Sequence, residues 1–284
     1  MGEFEDLIKK TLALQMPEDW EEKAKARWGR SNDPTCLSYW FPKIKAADIP
    51  TPKTILVEMP YEAHKDIYNL FDGNPMTGEA EPFFQTIKNA TDRIGYPCFL
   101  RTGQTSNKHS WEKTCYLKGP EGIRSHVIAL VEFSSIADMC GLDCSIWVVR
   151  ELLPIKPFGK CPRYGNMPIN KEFRVFVDNG QIRCWHPYWP KYALERGGVT
   201  IGKNPGDNSE YLTEEDYTSL CSPEGNYAFL EIASKAGKVL GGAWSVDILE
   251  TSKGWYLTDM AEAHKSFHWE GCEVLAKETR REEK

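Results

Sequence analysis

Two short apolar segments near the C-terminus each carry one acidic residue, and this pair constrains the fold more than any other feature. The first segment, residues 244–249, contains Asp247, and the second, residues 254–262, contains Asp259. Residues 250–254 between them are polar and end in glycine, which is typical of a β-hairpin loop. If the strands pair, the two acids come close on one face. Buried carboxylates need a cation, and oxygen ligands suit Mg²⁺. The alternative is a hairpin whose acids are solvated or salt-bridged.

Composition narrows the class of protein. The chain has 284 residues, 41% hydrophobic and 27% charged, which is ordinary for a globular protein with a sizeable core. A net charge of −6 argues against general nucleic-acid binding and still allows a local basic pocket. No apolar run reaches the roughly 18–20 residues that span a bilayer. The acidic N-terminus lacks the features of a signal peptide, so we expect no membrane partner and a cytoplasmic location.

The cysteine pattern favours reduced, buried thiols over a metal site. Nine cysteines are scattered through apolar segments. Cys140 and Cys144 form one closely spaced pair, but no second pair completes a zinc site. His264 and His268 are four residues apart and lack the glutamate of the His-Glu-x-x-His motif. The sequence therefore predicts core cysteines, and it predicts no zinc site at either of these two pairs.

Helical and extended patterns alternate along the chain. Strands are expected near residues 55–59, 96–101, 115–117, 144–153, 172–177 and 181–185, and helices near residues 4–14, 20–28, 61–71, 123–133 and 225–238. One further helix is expected to end at Ile94, before Gly95. Residues 154–170 are expected to be a loop, because proline and glycine interrupt them, and residues 190–225 are expected to consist mainly of loops.

Arg101 ends one expected strand and leads into a loop of small polar residues, 102–110. Backbone N–H groups of such a loop, at Thr105 and Ser106 among others, can wrap phosphate oxygens while Arg101 and Lys108 supply positive charge. The Walker-A order of residues is absent. A polar surface hairpin is the alternative.

Two later segments suit the rest of a nucleotide. Residues 148–153 could stack an adenine against aliphatic side chains, although a plain buried strand explains them too. Glu172 and Arg174 lie two residues apart and so face the same side of a strand. There a carboxylate can bind ribose hydroxyls and an arginine can bind phosphate; a salt pair is the alternative.

Taken in order, these segments resemble the ATP-grasp superfamily over about residues 40–270. Residues 93–101, Arg-Ile-Gly-Tyr-Pro-Cys-Phe-Leu-Arg, look like its helix-Gly-Tyr-Pro-strand entry. Residues 102–110, 147–153 and 172–175 then sit where its phosphate-covering loop, adenine hinge and ribose-binding strand belong, and Asp247 with Asp259 resembles its metal-binding pair. The branch with arginine at position 101 includes phage-encoded members and is similar to eukaryotic translation-factor assembly chaperones.

The resemblance implies an α+β fold in which two α+β lobes clasp a nucleotide after an N-terminal α/β segment. It places the pre-ATP-grasp region in residues 1–85, the small lobe in 86–150, the large lobe in 151–276 and a charged tail in 277–284. The implied function is an ATP-dependent carboxylate–amine (or thiol) ligase that forms an acyl phosphate and releases ADP. ATP and Mg²⁺ are the implied cofactors, and a carboxylate-bearing molecule, peptides and proteins included, is the acceptor. The alternatives are an ATP-binding assembly factor without ligase activity and an ATP-dependent phosphotransferase.

The resemblance also assigns roles to individual residues. Catalytic roles fall to Arg101, Lys108, Arg174 and Arg183. Nucleotide contacts fall to Arg101, Thr105, Ser106, Val149, Arg150, Glu151, Leu152, Leu153, Glu172 and Arg174. The metal ligands are Asp247, Asp259 and Glu262. From their position in the chain, and not from a family motif, we place five residues on the acceptor side: Arg174, Arg183, His186, Trp189 and Lys191.

The chain departs from the family pattern at several of these positions. Arg101 stands where the family usually has lysine, and Arg150 stands where the family has an acidic residue in the adenine hinge. Ala261 replaces the asparagine of the metal pair, and Glu262 is the candidate substitute. Lys43 and Lys45 are the candidates for the family's earlier ATP-binding lysine.

Overall fold

The computed structural model describes residues 19–29, 33–137, 141–202, 206, 210–270 and 272. The chain divides into two compact units, Met1–Ser31 and Asn32–Lys284. The described part of the first unit contains helix α1, Trp20–Arg27, which begins after Asp19 as its sequence predicts. The helix expected near residues 4–14 and the charged tail 277–284 lie outside the described residues.

The second unit mixes helices and strands, which confirms the expected α+β class. Its helices are α2 Leu37–Ala46, α3 Tyr61–Tyr68, α4 Glu81–Ile94, α5 Ile123–Ile136, α6 Lys191–Arg196, α7 Glu214–Cys221 and α8 Ala228–Leu240. Its strands are β1 Thr54–Glu58, β2 Cys98–Thr102, β3 Tyr116–Leu117, β4 Ile146–Glu151, β5 Gly159–Cys161, β6 Met167–Ile169, β7 Glu172–Asp178, β8 Gln181–Pro187, β9 Val199–Ile201, β10 Glu210–Leu212, β11 Ala243–Thr251 and β12 Gly254–Glu262.

Two four-stranded sheets organise this unit. The first sheet has the order β1-β4-β2-β3 and the second has the order β12-β11-β7-β8. All pairings within both sheets are antiparallel. The first sheet takes its strands from residues 54–151 and the second from residues 172–262. The expected lobe boundary at residues 150–151 falls between the sheets, whereas β1 comes from the stretch assigned to the pre-ATP-grasp region; both boundaries stay predictions.

A continuous apolar core supports the second sheet. Phe173, at 0% exposure, stacks on Phe229 of α8 with ring centroids 4.6 Å apart. Val175 and Val177 alternate with Phe173 along β7 and are also buried, because every second side chain of a strand faces the same side. Trp40 of α2 belongs to the same cluster. The opposite face of this sheet is therefore left for polar side chains.

Both expected hairpins of the second sheet are present. The β7–β8 turn uses Asn179 and Gly180, each with positive φ, which matches the Asn-Gly turn that its sequence predicts. In the C-terminal hairpin Asp247 lies directly opposite Asp259. The loop there is shorter than expected, because Thr251 already pairs with Gly254.

The two segments expected to be loops were predicted wrongly. Residues 154–170 contain the β5–β6 hairpin, and residues 190–225 contain α6, α7 and the parallel pair β9–β10. These elements enclose a second apolar cluster around Ile169, Leu194 and Leu212. Elements of only three to eight residues are stabilised by tertiary packing more than by a local pattern.

None of the helices in the described part of the chain combines the length and the apolar character that crossing a bilayer requires.

Candidate functional site

A cavity of about 830 Å³, counting the part open to solvent, lies between the two sheets. The first sheet contributes Phe99, Arg101, Arg150 and Glu151, and the second contributes Glu172, Leu249, Thr258 and Asp259. The remaining lining residues come from connecting segments and short elements: Pro52, Ser106, Lys108, Trp111, Leu152, Leu153, Ile155, Met167, Pro168, Asn170 and Trp189.

The polar face of the second sheet is arranged in rows across its strands. One row holds Asp259, Asp247, Arg174 and His186, which are successive register partners on β12, β11, β7 and β8. The neighbouring row toward the cavity contains Glu172 opposite Leu249. The first row therefore places two acids on adjacent strands, followed by Arg174 and then His186. This placement follows from the period-two alternation of strands, which the sequence already shows at Glu172 and Arg174.

Arg174 and Asp247 form a bidentate ion pair. Arg174 donates from Nε to Oδ1 at 2.7 Å and from Nη2 to Oδ2 at 2.8 Å. The side chains are only 20% and 8% exposed, respectively. Burial alone would lower the pKa of Arg174, but Asp247 and its hydrogen bonds outweigh burial and raise the pKa. Two parallel hydrogen bonds between a guanidinium and a carboxylate fix the relative orientation of the two side chains.

Asp259 links the second sheet to the first. Its Oδ2 accepts a hydrogen bond from Arg101 Nη1 at 2.8 Å, and the Arg101 side chain is 5% exposed. Burial would raise the pKa of Asp259, but Arg101 outweighs this effect and holds the pKa below its usual value. The salt-bridged alternative for the hairpin acids thus describes this structure at both Asp247 and Asp259.

A β-bulge aims two consecutive side chains of β12 at the site. The register shifts after Asp247, so Thr258 is the extra residue between Asp259 and Leu257. Both Thr258 and Asp259 consequently line the cavity, although strand alternation would separate them. The Thr258 hydroxyl donates to the Asp247 carbonyl at 3.1 Å and lies 3.3 Å from Glu172 Oε1.

Lys108 brings a third cation to this group of charges. Its Nζ lies 4.1 Å from the centre of the Tyr188 ring. Burial opposes the charged form of Lys108, but Tyr188, Glu172 and Asp247 together raise its pKa above the usual value. Burial, with a contribution from Asp247, raises the pKa of Glu172, while Lys108 lowers it. The side chains thus form a tightly coupled network.

Several buried polar atoms in the cavity wall lack a hydrogen-bond partner within the described part of the chain. They are Nη2 of Arg150, Oδ1 of Asn170 and Nε1 of Trp189. Arg150 otherwise donates from Nε to Thr54 Oγ1 at 3.1 Å and from Nη1 to the Thr258 carbonyl. Burial and the charge of Arg101 lower the pKa of Arg150 to about 9, so the guanidinium remains charged at neutral pH. Buried polar atoms are normally satisfied by protein, water or a ligand, so these three are available to water or to a polar ligand.

An apolar wall lies beside these charges. Leu152 and Leu153 follow β4, and Met167 of β6 lies in the same wall with Ile155. The Glu151 carboxylate accepts a hydrogen bond from the Lys53 backbone N–H at 2.8 Å, which fixes the end of β4. An apolar wall next to cations suits a ligand with one flat apolar end and one anionic end.

The cavity brings together ten of the residues singled out in the sequence. It is lined by Arg101, Ser106, Lys108, Arg150, Glu151, Leu152, Leu153, Glu172, Trp189 and Asp259. Arg174 and Asp247 are not lining residues, but both interact with residues that are. Tyr188, Thr258 and Asn170 were missed by the sequence reasoning; the only signal available was their proximity in sequence to assigned residues.

Other assigned residues lie elsewhere. Val149 is fully buried within β4, and Arg183 is exposed on β8. Thr105 folds back on its own loop, where its N–H donates to Thr102 Oγ1 at 3.0 Å. Glu262 accepts an ion pair from Lys265 at 2.8 Å. The side chains of Lys43, Lys45 and Lys191 are not among the cavity-lining residues. The roles assigned to these residues stay predictions.

Comparison with known proteins gives similarity in structure only. No protein-family profile matches the sequence. No curated protein matches it either.

Solved structures that resemble the chain include ATP-grasp proteins, the superfamily that the sequence motifs resemble. A RimK domain ATP-grasp protein from Sphaerobacter thermophilus is 13% identical, with 86% of this chain and 63% of that chain covered and a TM-score of 0.41. Cdc123 from Schizosaccharomyces pombe is 13% identical, with 81% of this chain and 83% of that chain covered and a TM-score of 0.48. N5-carboxyaminoimidazole synthase from Aspergillus clavatus, in complex with ADP, is 12% identical. The match covers 83% of this chain and 46% of that chain, with a TM-score of 0.43.

The chain spans 63% of the length of the first of these proteins and 46% of the third. At these identities and TM-scores the likeness by itself carries no functional conclusion.

Proposed function

We propose that the cavity between the two sheets binds ATP. The observation that carries this proposal is the meeting of Arg101, Lys108 and Arg150 with unsatisfied buried polar atoms beside an apolar wall. Three cations match a polyphosphate, and the free Nη2 of Arg150 is a donor without an acceptor among the described residues. The sequence resemblance to ATP-grasp proteins points to the same ligand.

The proposed orientation follows from the chemistry of the walls. The adenine lies against Leu152 and Leu153, where the backbone after β4 can bond the base edge. The ribose hydroxyls bond Glu172, and the phosphates lie toward Arg101 and Lys108. This orientation places the end of the triphosphate near Asp259 and Arg174.

Asp247 and Asp259 offer carboxylate oxygens, the ligands through which proteins usually bind Mg²⁺. They are opposite one another in the register, and each ionised carboxylate offers about four lone-pair sites. Arg174 occupies one site on each oxygen of Asp247, while Arg101 and the Met260 N–H each use one on Asp259. Lone pairs therefore remain for a cation. When bound, Mg²⁺ would neutralise phosphate charge and polarise the transferring group.

The proposed reaction joins a carboxylate to an amine or thiol. The acceptor carboxylate attacks the γ-phosphorus, the bond to the β-phosphate oxygen breaks, and ADP leaves. The amine or thiol then attacks the acyl carbon and loses a proton, and inorganic phosphate departs. Arg101, Lys108 and Arg174 would stabilise the negative charge on the transferring phosphoryl group, and closure of the cavity over the substrates would keep water from the acyl phosphate.

A second function, an ATP-binding assembly factor without ligation, is favoured by a specific observation. Asp247 and Asp259 are both engaged by arginines, and Ala261 stands where the ATP-grasp family uses asparagine. With fewer oxygen ligands available for Mg²⁺, the site would bind the nucleotide but would not position a metal ion for phosphoryl transfer.

A turnover assay separates the candidates. The full chain is incubated with ATP, Mg²⁺ and mixtures of carboxylates with amines or thiols, and ADP and the adduct mass are followed. ADP that requires both acceptors, together with a dehydrated adduct, supports the ligase. A phosphorylated acceptor supports the phosphotransferase. ATP binding without turnover supports the assembly factor. Absence of ATP binding at millimolar nucleotide would overturn all three.

A further inference from the structure

Four potential metal ligands converge at the edge of the second sheet, outside the cavity. They are Cys184 and His186 of β8 together with His268 and Cys272. The last two belong to the C-terminal segment, by which we mean the described residues 263–270 and 272 that follow β12. One ligand atom from each residue lies within 4.8 Å of the others. Cys184 Sγ and His268 Nδ1 are 3.9 Å apart.

We propose that Cys184, His186, His268 and Cys272 form a zinc site that fastens the C-terminal segment to the sheet. The set contains two sulfur and two nitrogen ligands, the composition that Zn²⁺ prefers in closed tetrahedral sites. In such sites the ligand atoms are about 3.3–3.8 Å apart, given bond lengths of about 2.0–2.3 Å. Small side-chain rotations would bring the four atoms to those distances.

The spacing of each half suits a chelating pair. Cys184 and His186 are two residues apart on a strand, so both side chains project from the same face. His268 and Cys272 are four residues apart, and the Cys272 N–H donates to the Trp269 carbonyl at 3.2 Å, which curls the segment toward the strand. The two halves lie about eighty residues apart in the chain, so neither reveals the site in the sequence.

The state of His186 is an independent observation that points to a ligand. Its Nε2 is buried and, among the described residues, has no hydrogen-bond partner. An imidazole nitrogen that makes no hydrogen bond can serve as a zinc ligand. Trp269 stacks on the ring with centroids 6.1 Å apart and holds its plane.

The route of the C-terminal segment explains what the metal would do. Ser245, Phe176 and Cys184 are successive partners across β11, β7 and β8, one row beyond the row of Asp247 and Arg174. The segment crosses the sheet along this row. Ser266 bonds Ser245, and His268 packs on Phe176 with ring centroids 3.6 Å apart. Zinc would fix the far end of this crossing at the edge strand.

Binding would release the protons of both thiols to solvent, so that a neutral complex forms from Zn²⁺, two thiolates and two neutral imidazoles. A site with four protein ligands leaves no position open for substrate, so we assign it a structural role.

Metal analysis of the full chain, purified without chelator or histidine tag, tests the proposal. We expect about one zinc per chain, falling below about 0.1 in Cys184→Ser and in Cys272→Ser. Cys221→Ser and His264→Gln are matched controls outside the cluster and should keep full occupancy.

A second measurement does not depend on how the variants fold. Cobalt added to the metal-stripped wild type should give the visible bands of tetrahedral Co²⁺ and a thiolate charge-transfer band in the near ultraviolet. Zinc-free protein without this spectrum, a Cys184–Cys272 disulfide detected by mass spectrometry, or equal zinc loss in the control variants would each overturn the proposal.

Discussion

Replacing Asp247 with leucine should destabilise the fold strongly, because Arg174 would lose its partner inside the sheet. The two side chains are 8% and 20% exposed and share hydrogen bonds of 2.7 and 2.8 Å. Removing one partner of a buried pair costs about 3–5 kcal/mol. The partial exposure of Arg174 and the nearby Glu172 carboxylate reduce this cost, so we expect the free energy of unfolding to fall by about 2–3 kcal/mol.

A double-mutant cycle isolates the pair from other effects. Arg174→Met alone should also destabilise the protein, because it leaves Asp247 without its guanidinium. The double variant Asp247→Leu/Arg174→Met removes both charges and should be more stable than the sum of the single changes predicts. We expect a coupling energy of at least about 1.5 kcal/mol.

Guanidinium unfolding followed by tryptophan fluorescence measures these free energies. Lys88→Gln breaks the exposed Lys88–Asp92 pair, 43% and 45% exposed, and serves as a control that should change stability little. A coupling energy near zero, or a change for Asp247→Leu no larger than that for Lys88→Gln, would refute the reasoning.

Three further predictions concern single residues of the site and the core. Lys108→Met should weaken ATP binding by calorimetry about 10- to 100-fold, since a charged hydrogen bond contributes about 1.5–3 kcal/mol; exposed Lys118→Met is the control, and equal effects would contradict the assignment. Burial raises the pKa of Glu172 in the folded protein above its usual value of 4.5. The free energy of unfolding therefore falls as the pH rises from 4.5 to the pKa of the folded state, because the buried carboxyl has to ionise. Glu172→Gln should therefore raise the thermal midpoint at pH 7 but not below pH 4.5, and weaken ATP binding; a lower midpoint at pH 7 would contradict the burial argument. Gly237→Ala should lower the thermal midpoint although alanine favours helices, because its Cβ would lie 2.7 Å from Val177; a higher midpoint would show that the contact relaxes.

The sequence predicted which residues share a face of the second sheet better than it predicted the short elements. Asp247 and Asp259 were expected to meet because strand alternation and a Gly-ended loop define a hairpin, and the register places them opposite each other. Glu172 and Arg174 share a face for the same reason. Local periodicity decides such features.

Other features depend on packing between distant segments and have no local signal. The β5–β6 hairpin consists of three-residue strands bounded by proline and glycine. The bulge at Thr258 arises in the pairing of β11 with β12. Arg174 and Asp247 are neighbours only because β7 and β11 are adjacent in the sheet, and the sequence does not give that strand order. The cluster around Cys184 and His268 likewise depends on the path of the C-terminal segment.

A crystal structure with a non-hydrolysable ATP analogue and Mg²⁺ tests the central claim most directly. We predict the adenine against Leu152 and Leu153, a ribose hydroxyl on Glu172, and phosphate oxygens bonded to Arg101 and Lys108. Nucleotide bound outside the cavity between the sheets, or a cavity that stays empty at saturating analogue, would contradict it.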